Sequence, residues 1–239
     1  MKSFLLLGQS NMAGRGDFED VPSIYNNLCF MLRNGRWQPM SEPINPDRSV
    51  VEPFSKEGNL HSGRCLAASF ADDFAKHYNE KVGLIPCADG GTSLEDWQVR
   101  GLLYDHAVMQ AKLAMRTSQL IGILWHQGEA ECSREERATT YIERFLPIIN
   151  GIRCELGVYD IPVVLGELGH FVKDRNPEKI PPYFDTVQEA LNTLGKRYDM
   201  ATASAEGLGC RPDGIHFHSA ALRELGHRYF AAYRSIVRD

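Results

Sequence analysis

Short β-type segments alternate with amphipathic helical stretches along almost the whole chain, and that alternation calls for a parallel sheet joined by crossover helices. The strand candidates are residues 3–7, 81–86, 121–126, 161–166 and, weakest in pattern, 200–203. Between the first two, Leu66, Phe70, Phe74 and Tyr78 recur every four residues, with Ala67 and Ala71 widening the stripe, which predicts a helix lying on the sheet. Ser133-Arg134-Glu135-Glu136 reads as a capping box. It would open a helix whose Tyr141, Phe145, Ile148, Ile149, Ile152 and Leu156 share one face, and which Pro147 is expected to kink. A last apolar stripe, from Leu222 through Leu225, Tyr229 and Tyr233 to Ile236, predicts a C-terminal helix packed on the same domain.

Two stretches interrupt the alternation. Residues 17–60 hold five of the twelve prolines (Pro22, Pro39, Pro43, Pro46, Pro53) and one hairpin signal at Asn34-Gly35, so they read as a long, loop-rich surface insertion. Residues 170–182, polar and Pro-containing, form a second excursion directly after a strand end. Ligands of open α/β sheets bind beyond the carboxyl ends of the strands, so both excursions are candidates for the rim of a pocket.

At 239 residues the chain is the size of one large domain. Lys and Arg number 26 against 31 Asp and Glu, a net charge of −5, which gives nucleic acid or an anionic membrane surface no electrostatic reason to bind. Hydrophobic residues at 43% and charged residues at 24% exclude disorder. The early apolar run Phe4-Leu5-Leu6-Leu7 is too short for a signal-peptide core or a membrane span, so the chain is expected to start directly inside its fold. The six cysteines form no C-x-x-C pair; with the missing leader pattern this suggests a cytoplasmic protein, although an even count also suits disulfides in an exported form.

Four segments carry chemistry-bearing residues. Gly8-Gln9-Ser10-Asn11-Met12-Ala13-Gly14 puts a hydroxyl at a strand-to-helix turn, where Ser10 is either a nucleophile or a plain N-cap. It is neither the G-x-S-x-G elbow nor a phosphate loop, because Met12 stands at the second glycine position and no Gly-Lys-Ser/Thr follows. Asp213-Gly214-Ile215-His216 can set a carboxylate beside an imidazole within one turn, the base half of a triad, with His218 as a competitor for the base. Gly90-Gly91-Thr92-Ser93 could aim a backbone N–H at an oxyanion or merely begin a helix capped by Ser93. Trp125-His126-Gln127-Gly128-Glu129 ends the third strand, and Gln127 carries a side-chain amide donor. His126 and Glu129 match no H-E-x-x-H or Cys/His zinc pattern, so no metal is expected.

Taken in chain order, these four blocks together with Trp97 and Phe217 resemble the SGNH hydrolase superfamily. Within it they resemble the branch of sialate O-acetylesterases and the acetylxylan esterases of carbohydrate esterase family six, with Gln9 and Gln127 standing where the wider superfamily has Asp and Asn. The resemblance implies a flavodoxin-like three-layer α/β/α sandwich with a five-stranded parallel sheet, formed by the whole of residues 1–239 as one domain. It implies Ser10 as nucleophile, His216 as base and Asp213 as its orienting partner. The implied oxyanion hole joins the Ser10 N–H, the Gly91 N–H, with Gly90 as the alternative, and the Gln127 side chain. The implied reaction is hydrolysis of O-acetyl esters on saccharides, with no metal or organic cofactor and no partner beyond the substrate. The alternatives are an esterase of this superfamily for other short-acyl or lipid esters, and an inactive carbohydrate-binding protein on the same fold using aromatics such as Trp37 and Trp97.

Overall fold

The computed structural model describes residues 1–46 and 62–237. Its strands are β1 (Lys2–Gly8), β2 (Cys29–Arg33), β3 (Arg36–Pro39), β4 (Val82–Pro86), β5 (Gln119–His126), β6 (Val163–Gly166) and β7 (Met200–Ala203). The helices are α1 (Ser10–Ala13), α2 (Leu66–Tyr78), α3 (Leu102–Met115), α4 (Glu135–Thr139), α5 (Tyr141–Leu156), α6 (Phe184–Leu194) and α7 (Ser219–Ile236).

All seven strands join one sheet in the order β3-β2-β4-β1-β5-β6-β7, with every pair parallel except β2 and β3. The five predicted strands form its parallel centre and one edge, each within two residues of its expected bounds. The expected strand count of five is corrected to seven, because the 17–60 insertion is not all surface loop. Its Asn34-Gly35 signal makes a two-residue turn with φ of 51° and 71° at the two positions, as a primed hairpin turn requires. The strand before it, β2, adds itself alongside β4, Cys29 opposite Val82 and Met31 opposite Leu84. Cys29 and Met31 are buried there, a signal present in the run Cys29-Phe30-Met31-Leu32 but masked by the surrounding prolines. Residues 47–60 of the insertion lie outside the described residues.

Side-chain alternation along the strands sorts the helices into two layers. Phe4 on β1 meets Phe70 and Phe74 of α2 and Tyr233 of α7 edge to face, at centroid distances of 4.7, 5.2 and 5.0 Å. Consecutive residues of β5 point opposite ways: Trp125 packs on Phe145 of α5 and on Trp97, while His126 packs on Tyr229 of α7. Helices α2 and α7 therefore cover one face, and α5, with α3 and α6 beside it, covers the other. The insertion is pinned to the first layer by Glu42, whose buried carboxylate pairs with Arg64 and with Arg223 of α7.

The predicted capping box does not form. Ser133 ends a short 3₁₀ turn, Glu129–Ser133, and its hydroxyl donates back to the Ala130 carbonyl; α4 starts after Arg134 with no side-chain cap. The expected single helix is also two, broken at Thr140, while α5 runs on past Pro147 to Leu156. The physical reason lies upstream. Glu131 is drawn into the interior to serve the ends of β4 and β5, and that fixes the chain in a 3₁₀ turn where a capped helix start was expected.

Candidate active site

Three strand ends deliver three turns to one edge of the sheet. Strand β1 ends at Gly8, whose φ of 123° turns the chain; a Cβ there would fall 2.1 Å from the His126 carbonyl oxygen, so only glycine fits against β5. The Gln9 N–H then donates to the His126 carbonyl at 2.9 Å and the Asp89 N–H donates to the Gly8 carbonyl at 3.0 Å, locking the turns after β1, β5 and β4 together. Ser10 is the first residue of α1, with Gln9 at the cap position and no side-chain cap, so the plain N-cap reading of Ser10 does not hold. Gln9 Oε1 accepts from the Gly128 and Ala130 N–H groups, both at 3.4 Å, which gives the glutamine at this position a structural task.

Asp213 and His216 meet in a turn ahead of α7. Asp213 Oδ1 accepts from the backbone N–H of Ile215 at 2.8 Å and of His216 at 2.9 Å, and Oδ2 lies 2.9 Å from His216 Nδ1. Burial pushes the Asp213 carboxyl up, but the hydrogen bonds from the His216 backbone, the His216 ring and the Ile215 backbone outweigh it and hold the group below its usual value. The other ring nitrogen, His216 Nε2, lies 2.9 Å from Ser10 Oγ across 206 residues of sequence. The competitor His218 is occupied elsewhere: it caps α7, its Nδ1 accepting from the Ala221 N–H at 3.0 Å.

The two other predicted turns are adjacent. A Cβ on Gly90 would sit 3.8 Å from the Ser10 Cβ and 2.5 Å from an Arg15 Nη, so this glycine lies directly against the serine turn; Gly91, with φ of 76°, has open space around it. Gln127 is fully buried. Its Nε2 donates to the Thr92 carbonyl at 3.3 Å and to Glu131 Oε1 at 3.2 Å, while its Oε1 accepts from the Tyr141 hydroxyl at 3.1 Å. Both of its N–H groups are thus engaged in this state, the bond to Thr92 being the longer. Ser93 does make a capping-like turn, its N–H and hydroxyl both donating to Asp96 Oδ2 at 2.8 Å.

Sequence reasoning assigned no role to the groups that hold these turns. Glu131 Oε1 also accepts from the Leu94 N–H at 2.8 Å, and its Oε2 pairs with Arg144, so one buried carboxylate ties the β4 and β5 turns. Asn11 links the serine turn to the His216 loop, and Glu129 accepts from the Asn11 amide. The signal for Asn11 and Glu129 was their presence in two of the four matched blocks; Arg144 had none. Trp97 is fully buried, its indole N–H donating to Thr92 Oγ1 at 3.1 Å, and Trp37 lies over Gly83 on the hairpin edge. Neither is set out as a sugar platform. The 170–182 excursion does reach the site: Arg175 stands against Gly214, and Phe171 packs edge to face on Phe217 at 5.0 Å.

Comparison with known proteins bears on the fold and the family. A probable carbohydrate esterase of Arabidopsis thaliana is 25% identical over 248 residues, covering 97% of this chain and 90% of the relative. The crystal structure of that Arabidopsis protein superposes with a TM-score of 0.85 at 24% identity, covering 98% of both chains. NanS superposes at 0.75 with 16% identity over 98% of this chain and 97% of its own. A carbohydrate acetylesterase of Xanthomonas citri superposes at 0.67 with 21% identity, over 98% of this chain and 56% of that one. At these identities the solved structures establish a shared fold. The profile of the carbohydrate esterase family described as sialic acid-specific acetylesterase matches residues 1–235, and the chain therefore belongs to that family of carbohydrate esterases.

Proposed function

We propose that the chain is a serine esterase that removes O-acetyl groups from saccharides, with Ser10 as nucleophile, His216 as general base and Asp213 as the residue that orients it. The observation that carries this reading is the continuous line from Asp213 through His216 to Ser10, two contacts of 2.9 Å each. The carboxylate accepts from Nδ1–H, which fixes the tautomer that leaves Nε2 free to take the hydroxyl proton. Ser10 Oγ attacks the acetyl carbonyl, and His216 takes its proton and then passes it to the departing sugar oxygen. Water repeats the sequence on the acetyl-enzyme and releases acetate.

The oxyanion that develops at each attack would be met by the Ser10 N–H, by an N–H of the Gly90-Gly91 turn, and by Gln127 Nε2 once it lets go of the Thr92 carbonyl at 3.3 Å. Gly91 remains the proposed backbone donor, as the family resemblance implies, with Gly90, which lies against the serine turn, as the alternative. Arg175 beside the His216 turn puts a cation at the rim, which favours an acidic acetylated sugar of the sialic-acid type over a neutral acetylxylan.

The deciding measurement is acetate release from a panel of O-acetylated acidic and neutral saccharides, run beside p-nitrophenyl esters of two to eight carbons. Preference for acetyl over longer acyl groups, with turnover on at least one saccharide, is expected. Faster turnover of the long-chain esters would replace the proposal with a lipid-type esterase. Saccharide binding without any turnover would replace it with a binding protein.

A further inference from the structure

Asn11 follows Ser10 directly, and its carboxamide reaches across to the loop that carries His216. Its Nδ2 donates to the Ile215 carbonyl at 3.3 Å and its Oδ1 accepts from the Phe217 N–H at 3.2 Å, so the backbone on both sides of His216 closes on one side chain. A third partner is Glu129, whose Oε1 accepts from Nδ2 at 2.5 Å. The partners dictate the amide's orientation: an N–H can only donate and must face Oδ1, whereas a carbonyl and a carboxylate can only accept and must face Nδ2. Asn11 is 1% exposed, so water does not compete for these bonds.

Glu129 is itself set in a dry place. Its Oε1 lies 3.8 Å from Nε2 of the fully buried His126. The Tyr229 hydroxyl donates to the Trp125 carbonyl at 2.8 Å, so at the 2.9 Å contact with His126 it must accept from Nδ1–H. That leaves His126 Nε2 as a lone pair beside the carboxylate, and burial, which Glu129 only partly opposes, favours the neutral ring. Glu129 Oε2 has no hydrogen-bond partner, which leaves Asn11 Nδ2 as the one donor that this carboxylate meets among the described residues.

We propose that Asn11 is a positioning residue, a strut that holds the His216 loop at the distance from Ser10 at which the imidazole can take the hydroxyl proton, with Glu129 fixing the orientation of the strut's amide. Ser10 and Asn11 share one peptide bond on α1, so the strut is anchored to the serine it serves. His216 lies between the two residues that the strut grips. The inference rests on the proposed roles of Ser10 and His216. Asn11 and Glu129 have no part in the proposed bond-making steps, and a displacement of about 1 Å at the imidazole is enough to cost roughly 10²-fold in rate.

Three variants test it. Asn11→Ala removes all three bonds. Asn11→Asp keeps an acceptor for the Phe217 N–H but sets a second carboxylate against Glu129 and the Ile215 carbonyl. Asn11→Asp combined with Glu129→Gln restores a donor opposite an acceptor at that junction. With p-nitrophenyl acetate and folded protein quantified by circular dichroism, kcat is expected to fall roughly 10²-fold in both single variants while KM stays within about twofold. The double variant should recover at least about tenfold over Asn11→Asp, and the low-field proton resonance of His216 Nδ1–H should shift or broaden in the single variants. A folded Asn11→Ala with wild-type kcat overturns the proposal. So does a double variant no faster than Asn11→Asp, a comparison that stands even if Asn11→Ala fails to fold. Ser10→Ala and His216→Ala are run beside them. Wild-type turnover in either would sink the reading of the site and the strut with it, whereas two dead controls with active Asn11 variants would sink the strut alone.

Discussion

Ser10 sits on a turn that the sheet itself holds, with the Gln9 N–H on the His126 carbonyl and the Asp89 N–H on the Gly8 carbonyl, and all four residues of α1 are buried. His216 rides a loop outside the sheet, where the Asp213 side chain is 41% exposed. The first side of the site is continuous with parallel ladders whose register is set along five residues of β1 and β4, so it can move only if those ladders break. The second side owes its internal shape to a small ring of bonds, Arg211 N–H to the His216 carbonyl at 2.8 Å and Gly214 N–H to the Arg211 carbonyl at 2.9 Å. Its position over Ser10 depends on a few side chains, Asn11 first among them. A rigid, sheet-held side and a more adjustable loop side would suit the proposed base, which would face first a serine and then a water.

The comparison breaks most sharply at the reacting atoms. Ser10→Ala and His216→Ala should each lower kcat for p-nitrophenyl acetate by about 10⁴-fold or more with an unchanged far-ultraviolet spectrum; a substantial rate in either would remove that side from the chemistry. Gln127→Ala on the rigid side should cost about 10²–10³-fold in kcat if its amide meets the oxyanion. An effect near unity would mean that the amide stays with Thr92 and Glu131. A pH profile sharpens the adjustable side. Activity should fall on acidification, because the imidazole must be neutral to accept a proton. The Asp213 carboxyl is held below its usual 3.8 by its hydrogen bonds. Its lowered value stabilises the fold above about pH 4, and that contribution is lost only as pH drops through the lowered value. Loss of activity above about pH 4 should therefore be reversible; unfolding in that range would contradict this. Gly35→Ala, at a φ of 71° in the distant hairpin, should cost about 1 kcal/mol in denaturant unfolding and leave turnover unchanged. A change in turnover there would show that the sheet edge is coupled to the site.

The parallel strands were legible because each is a short apolar run bounded by turn residues, and both faces of such a sheet are covered. The hairpin β2–β3 was half legible: Asn34-Gly35 announced the turn, yet the prolines around it disguised the strand that pairs with β4. The capping box at Ser133 failed for the opposite reason. A sound local pattern lost to Glu131, whose buried carboxylate serves Gln127 four residues before it, Leu94 after β4 and Arg144 on α5.

Local sequence was sufficient for the alternation of strands and helices, for the turn at Asn34-Gly35, and for the closeness of Asp213 to His216, since each depends on neighbours a few residues apart whose backbone preferences and hydrogen-bonding reach are short-ranged. The 2.9 Å approach of His216 to Ser10 across 206 residues, the use of His218 as the α7 cap, the engagement of Gln127 by Thr92 and Glu131, and the grip of Asn11 on Ile215 and Phe217 were decided only when the sheet gathered its turns. Hydrogen bonds select partners by distance and direction in space, and no spacing along the chain encodes either.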